Sequence, residues 1–187
     1  MRNVEQLLTQ YAATHRDQRN IATHFIGVPI IVFSVVLAQA QIAIGPIHLA
    51  WIGILLAATY YFWLDRTLGL ASSVFLILCG VIASIISAQT AVGTSLLIAA
   101  ILFVAGWSIQ FVGHRYEGMK PAFVDDLIGL MIGPLFVVAE IFFYLGLKRE
   151  LHEYIETRVG ATMPARNGKP IGPAGSFPKS ESTNIAA

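Results

Sequence analysis

Two short polar stretches carry most of the groups in this chain that could do chemistry. The first, THRDQRNIATHFIGVP at residues 14–29, places His15, Asn20 and His24 at the entry to a long apolar run. The second, GWSIQFVGHRYEGMKPA at residues 106–122, places Gln110, His114 and Glu117 at the end of another. Their i, i+4, i+7 spacing puts Gln110, His114 and Glu117 on a single helical stripe, and a His-x-x-Glu pair points two ligands the same way. Gly113 and Gly118 permit close backbone approach, and Pro121 ends the element. Asn20 and His24, four apart, share a face of one helix. His15 and His24 do not: at about 100° per residue they stand roughly 180° apart. They converge only if the chain turns within the DQRN stretch, residues 17–20. Neutral imidazoles with carboxylate and amide oxygens suit a divalent first-row metal such as iron or zinc, and not a thiolate site. The single cysteine, Cys79, lies in an apolar run, with no disulfide framework and no CxxC motif around it.

Plainer readings stand beside this one. A lone histidine is comfortable at a membrane interface without being a ligand. Glu117 could pair with Arg115 or Lys120, which contributes little at an exposed site. His48 falls at the opposite end of the bundle, and His152 sits in the charged stretch KRELHEYIETR. Glu140 could be a structural carboxylate, although an acid inside an apolar segment is a functional candidate by default. What favours the metal reading is co-location: three of the five histidines gather on one face of a chain nearly devoid of charge elsewhere.

The elements that must position these groups are membrane helices. Of 187 residues, 56% are hydrophobic and only 12% charged, and the mean hydropathy is +0.68. Soluble domains carry about a quarter charged residues. Between Arg19 and Arg115 the only charged residues are Asp65 and Arg66, a gap that must face lipid or protein. A net charge of +1, without a basic cluster interleaved with aromatics, excludes a nucleic-acid partner. The polar first 24 residues do not resemble a cleaved signal peptide. Val4, Leu7, Leu8 and Tyr11 form an amphipathic stripe, expected as a short helix on the membrane surface or over the bundle. Asn20 is the expected N-cap of the helix that follows.

Four spans are expected at 24–44, 47–64, 67–88 and 92–113, each near the ~20 residues that cross a bilayer. Their short links force neighbours to run antiparallel. Small residues such as Gly53, Ala57, Gly80 and Ser84 suit close helix packing in lipid. An even number of crossings returns the chain to its starting side. Arg2, Arg16, Arg19, Arg66, Arg115 and Lys120 therefore share one face, while the opposite loops carry no Lys or Arg. By the positive-inside rule that face is cytoplasmic, in a bacterial inner membrane or, in a eukaryote, the endoplasmic reticulum. The segment from Leu127 to Leu147 is expected as a fifth hydrophobic piece, broken by Pro at Gly133-Pro134 and returning to the same face. The chain is thus expected to be an all-α membrane bundle forming one domain at 1–159, followed by a disordered Gly/Pro/Ser-rich tail at 160–187.

The combined motifs resemble the Mpo1-like (DUF962) family. They are His15, Asn20, His24 and Gly27-Val28-Pro29; then Gly106-Trp107, Gln110-Phe111, Gly113-His114, Glu117-Gly118 and Pro121-Ala122; then GPLFVVAE at residues 133–140. The resemblance covers about residues 1–150. It implies a membrane-embedded, Fe(II)-dependent dioxygenase that shortens 2-hydroxy fatty acids by α-oxidation, with O2 as co-substrate. His15, His24 and His114 match the family's histidines and are the implied iron ligands, with Glu117 or His152 as a possible further one. Gln110, Glu117 and Asn20 would orient ligands or substrate. Arg19, Arg115 and Lys120 would attract the carboxylate, and Trp107 and Phe111 would line the acyl chain. Two other classes compete: a haem protein using two of these histidines, and a carrier with its site at Glu140 and the Gly133-Pro134 break. The sequence says nothing of oligomeric state.

Overall fold

The computed structural model describes residues 3–118 and 127–165. Lys120, Pro121 and the expected tail beyond residue 165 lie outside the described residues. Among the described residues, seven helices carry the fold: α1 (Val4–Ala12), α2 (Gln18–Gln39), α3 (Leu49–Leu64), α4 (Arg66–Gln89), α5 (Val92–Glu117), α6 (Leu127–Tyr144) and α7 (Arg149–Val159). Between α2 and α3, two-residue strands β1 (Ala43–Ile44) and β2 (Ile47–His48) pair antiparallel around Gly45, whose φ of 60° suits the turn.

Helix α1 opens on a reciprocal cap. The Asn3 side chain accepts from the Gln6 amide at 2.9 Å, and Gln6 Oε1 accepts from the Asn3 amide at 3.4 Å. Its buried face is Leu7, Leu8, Tyr11 and Ala12, packed on α6 and α7. The cap of α2 lies three residues before Asn20: it is Asp17, whose carboxylate accepts from the Arg19 amide at 2.9 Å. Asn20 is buried inside the helix, because its side chain is engaged elsewhere, as described below.

Three helices, α2, α4 and α5, are long and apolar enough to cross a membrane. The expected second span is shorter than that. Strand β2 takes Ile47 and His48 out of it, leaving 16 residues in α3. At 1.5 Å per residue that is about 24 Å, short of the ~30 Å hydrocarbon core.

Helices α2 and α5 form the most extensive pair. Glycines make it possible. A Cβ on Gly106 would lie 2.7 Å from the Ile31 side chain and 3.1 Å from the Gly27 carbonyl. One on Gly113 would collide with the Thr23 hydroxyl and lie 2.5 Å from Asn20 Oδ1. The start of α2 and the end of α5 are thereby locked side by side.

The expected break at Gly133-Pro134 is absent: α6 runs through Pro134. Proline removes one N–H from the ladder and disturbs the carbonyls one turn before it. The Met131 carbonyl, in that turn, accepts a hydrogen bond from the Tyr61 hydroxyl at 2.7 Å. The break comes later, at residues 145–148, where Gly146 (φ 72°) and Lys148 (φ 54°) are left-handed and the chain bends by 110° into α7. The anchors of α6 lie where α2 begins and α5 ends: Met131 to Tyr61, Glu140 to Arg16 (3.7 Å), and, just past the helix, Lys148 to Asp65 (2.6 Å). These contacts tie α6 and its junction with α7 to that end of the bundle.

Asp65 ends α3 and caps α4, accepting from the Thr67 and Leu68 amides at 2.9 Å each. Burial alone would raise its pKa, but Lys148 and the two amides outweigh burial and hold it below the usual aspartate range. Asp65→Ala should cost about 1–2 kcal/mol for the lost cap. A depressed carboxylate contributes fully above its unfolded value of about 3.9 and fades as pH falls through the lower folded value. Thermal melts of both proteins in detergent at neutral pH and at about pH 3 check the sign. The gap between them narrows in acid.

Candidate metal centre and its cavity

The turn between α1 and α2 is held from across the bundle. The Glu117 carboxylate, fully buried, accepts from the Arg16 amide at 3.0 and 3.1 Å, the Asp17 amide at 2.9 Å and the Asn20 side chain at 3.1 Å. Asn20 also donates to the Thr14 carbonyl at 3.2 Å, which closes the turn from inside. From the other side, the Met163 carbonyl accepts from the Gln18 amide at 2.9 Å and its amide donates to the Arg16 carbonyl at 2.7 Å. The Arg16 side chain is buried too. It donates to the carbonyls of Ala12, His15 and Gly160 and faces Glu140. Burial lowers its pKa, while Glu140 and Glu117 favour its charged form.

This turn brings His15 back against His24. Their Nε2 atoms are 2.9 Å apart, and His114 joins them so that one ligand atom from each ring lies within 4.8 Å of the others. All three are buried. His15 Nδ1 lies 2.7 Å from the Tyr11 carbonyl, and His24 Nδ1 lies 2.9 Å from the Asn20 carbonyl. A carbonyl only accepts, so each Nδ1 carries the hydrogen, and neutral rings then turn bare Nε2 lone pairs toward each other. That contact is repulsive unless a cation lies between or beside them. A proton is disfavoured there: burial pushes the His15 pKa well below the ordinary histidine range, and His24 and His114 push it further. His114 Nδ1 is buried with no hydrogen-bond partner. Three neutral imidazoles, two of them oriented by backbone carbonyls, fit a divalent first-row metal with open coordination positions. Nitrogens 2.9 Å apart leave no room for a porphyrin between them.

Tyr11 stacks on His15 at 4.2 Å with an interplanar angle of 6°, and Phe136 packs against both rings. Sequence reasoning missed the stacking of Tyr11 on His15. Tyr11 was within reach, since it stands one helical turn before His15. Nothing in the sequence marks Arg16 as buried or pairs it with Glu140.

The remaining candidates divide by position. Gln110 is buried beside His24 and His114 with neither amide atom hydrogen-bonded, and a Cβ on Gly27 would lie 2.5 Å from its Nε2. Trp107 lines the same cavity. Phe111 does not: it is 55% exposed on the outer surface, its ring tilted against Trp107 at 5.8 Å. Arg19 clamps Asp17 at 2.8 and 3.0 Å and lies over the Tyr116 ring, while Arg115 is exposed; neither reaches the cavity. Glu117 is not among the converging ligands, because its oxygens are held by the turn's N–H groups. His152 stacks on Phe143 and pairs with Glu156 at 3.4 Å, outside the trio.

The trio's cavity has a volume of about 470 Å³. It follows one face of α2 from His24 to Gln39, walled by α3, α4, α5 and α6. Among the described residues no Lys, Arg, Asp or Glu lines it. The fifteen steps of 1.5 Å from His24 to Gln39 make it about 22 Å long. One leaflet's half of the ~30 Å hydrocarbon core is about 15 Å. The space is long and apolar, with its polar end at the histidines.

The family model described as "Mpo1-like: 2-hydroxy-palmitic acid dioxygenase Mpo1-like" matches residues 1–145. A relative, the 2-hydroxy-palmitic acid dioxygenase MPO1 of Saccharomyces cerevisiae, is 30% identical over 149 residues, covering 78% of this chain and 83% of the yeast protein. No solved structure matches. The matched region spans α1 through α6 and includes every residue of the histidine trio, so the chain belongs to the Mpo1-like family.

Proposed function

We propose that this protein is an Fe(II)-dependent dioxygenase that shortens 2-hydroxy fatty acids by one carbon. The reaction balances with O2 alone: R–CHOH–COOH and O2 give R–COOH, CO2 and H2O. The bond between C1 and C2 breaks, C2 is oxidised to a carboxyl, and O2 takes up the electrons. The observation that carries this reading is the His15–His24 Nε2 pair at 2.9 Å, joined by His114 at the head of an apolar cavity. Bound iron would activate O2 and polarise the substrate's hydroxyl and carboxylate oxygens.

The rest is done by the chain. His15, His24 and His114 would hold the metal, with Tyr11 and Asn20 carbonyls fixing the tautomers of the first two. Glu117 would act through the turn, keeping His15 in place. Gln110, with unpaired donors beside the trio, would receive the carboxylate, while Trp107 borders the first part of the acyl chain. Arg19 and Arg115 lie on the surface of this end, so they would contribute long-range attraction rather than contact. The basic residues at this end, including Arg66, Lys148 and Arg149, support a cytoplasmic position for it by the positive-inside rule. The carrier alternative has less support: α6 is unbroken at Pro134, and Glu140 faces Arg16.

The direct test uses purified protein, stripped with chelator, reloaded with Fe(II) without air, then given O2 and carboxyl-labelled 2-hydroxypalmitate. Labelled CO2 and the shortened acid should appear in equal amounts. Intact substrate in folded, iron-loaded protein would overturn the reading. Gln110→Leu should raise KM about 10–100-fold, the worth of a hydrogen bond to a charged group. Its iron content, measured by elemental analysis, should not change.

A further inference from the structure

The cavity has a buried wall and an open rim. Val28, Ile54, Tyr61 and Leu76 form its inner side and are at most 8% exposed. Val35, Leu56, Phe103 and Leu130 line it as well, yet are 39–67% exposed. Helix pairing explains the difference: α5 packs on α2 and α3 packs on α4, while α3 and α5 do not pack extensively on each other. A slot opens between them on the apolar flank, where Leu55, Leu97, Ile101 and Val104 also face outward. The polar end offers no comparable route among the described residues, because His15, Asn20 and Glu117 are fully buried beneath α1, α6 and the Met163 strand bridge.

Resting on the dioxygenase reading, we propose that this slot is the substrate entrance. A long-chain 2-hydroxy acid moves sideways from the bilayer, passing its chain between α3 and α5 until it lies along α2. Its carboxyl end reaches Gln110 and the histidines last. Three features fit this path: the cavity's length, its lack of charged side chains, and its continuity with the trio. A path through water would instead expose every methylene.

Leu55 and Leu56 supply a matched pair for the test, since both are 67% exposed and only Leu56 lines the cavity. Leu55→Cys and Leu56→Cys are made with Cys79→Ala, Trp51→Phe and Trp63→Phe, then reacted with a bulky bilayer-soluble maleimide. Each unlabelled protein is its own control for folding. The probe is 2-hydroxypalmitate, brominated on its chain and supplied in phosphatidylcholine vesicles, read by quenching of Trp107 and by turnover. The label on Leu56→Cys should cut both by about tenfold or more, and on Leu55→Cys should leave them within about twofold. Equal losses from both labels, or none from the Leu56→Cys label, would overturn the slot. Delivery of the same acid on albumin should show the same Leu56→Cys block; escape from it would place the entrance on the aqueous side. Quenching that depends on the slot in proteins that consume no acid would leave the slot standing and sink the dioxygenase reading.

Discussion

His24→Ala is expected to abolish iron binding and to lower turnover by about a thousandfold or more, beyond the 10–100-fold typical of groups that merely support a ligand. His114→Ala does the same. The informative companion is His24→Phe, measured without metal. If His24 were an ordinary core residue, the change would lower the melting temperature. In the metal-free protein it faces a bare lone pair on His15 at 2.9 Å, so a phenyl ring should be tolerated or stabilising. Iron at about 100 to 1,000 times its Kd should stabilise the wild type by roughly 2.7–4 kcal/mol, and His24→Phe should show no such gain. Melting curves with and without iron decide this, and a His24→Phe protein still stabilised by iron would remove His24 from the ligand set.

The second large effect belongs to a residue outside that set. Glu117→Ala leaves the Arg16 and Asp17 amides and the Asn20 side chain without their acceptor in a buried turn. Each orphaned donor costs about 1–3 kcal/mol, so a loss of several kcal/mol and poor expression are expected. Glu117→Gln separates positioning from ligation. It keeps one acceptor oxygen but turns an NH2 group toward backbone N–H groups, so the turn loosens while all three imidazoles remain. Iron affinity should fall about 10–100-fold, with iron restored at higher concentration. Titration of iron into the stripped variant measures this. A loss that no iron concentration repairs would mean that Glu117 is itself a ligand.

The residue types and spacings of the site are legible in the sequence because they obey helical periodicity. Gln110, His114 and Glu117 fall on one stripe, and the need for a turn between His15 and His24 follows from angle alone. What periodicity cannot give is the direction of a side chain at a helix end. Glu117 is the last residue of α5, before Gly118 turns left-handed at φ 69°, and there it meets the N–H groups of the turn. Asp17 and Asn20 are equally good caps in sequence; Asp17 serves because Asn20 is occupied by Glu117 and Thr14. Trp107 and Phe111 share a stripe, yet only the first lines the cavity, while Phe111 is exposed on the outer surface. Pro134 reads as a break, but a tyrosine on another helix supplies a partner to the disturbed turn. Each miss traces to a tertiary contact between distant residues.

The pairing of α2 with α5 has a consequence for biosynthesis. His24 and His114 are 90 residues apart, with α3 and α4 between them. At roughly 5–20 residues per second, about 5–20 s of translation separate the first two histidines from the third. During that interval the glycine-notched face of α2 has no α5 to receive it, and Glu117 is not yet present to fold the turn. The histidine pocket is therefore a late product of synthesis, completed only after α5 has been made, so any metal loading would follow insertion and could not guide it.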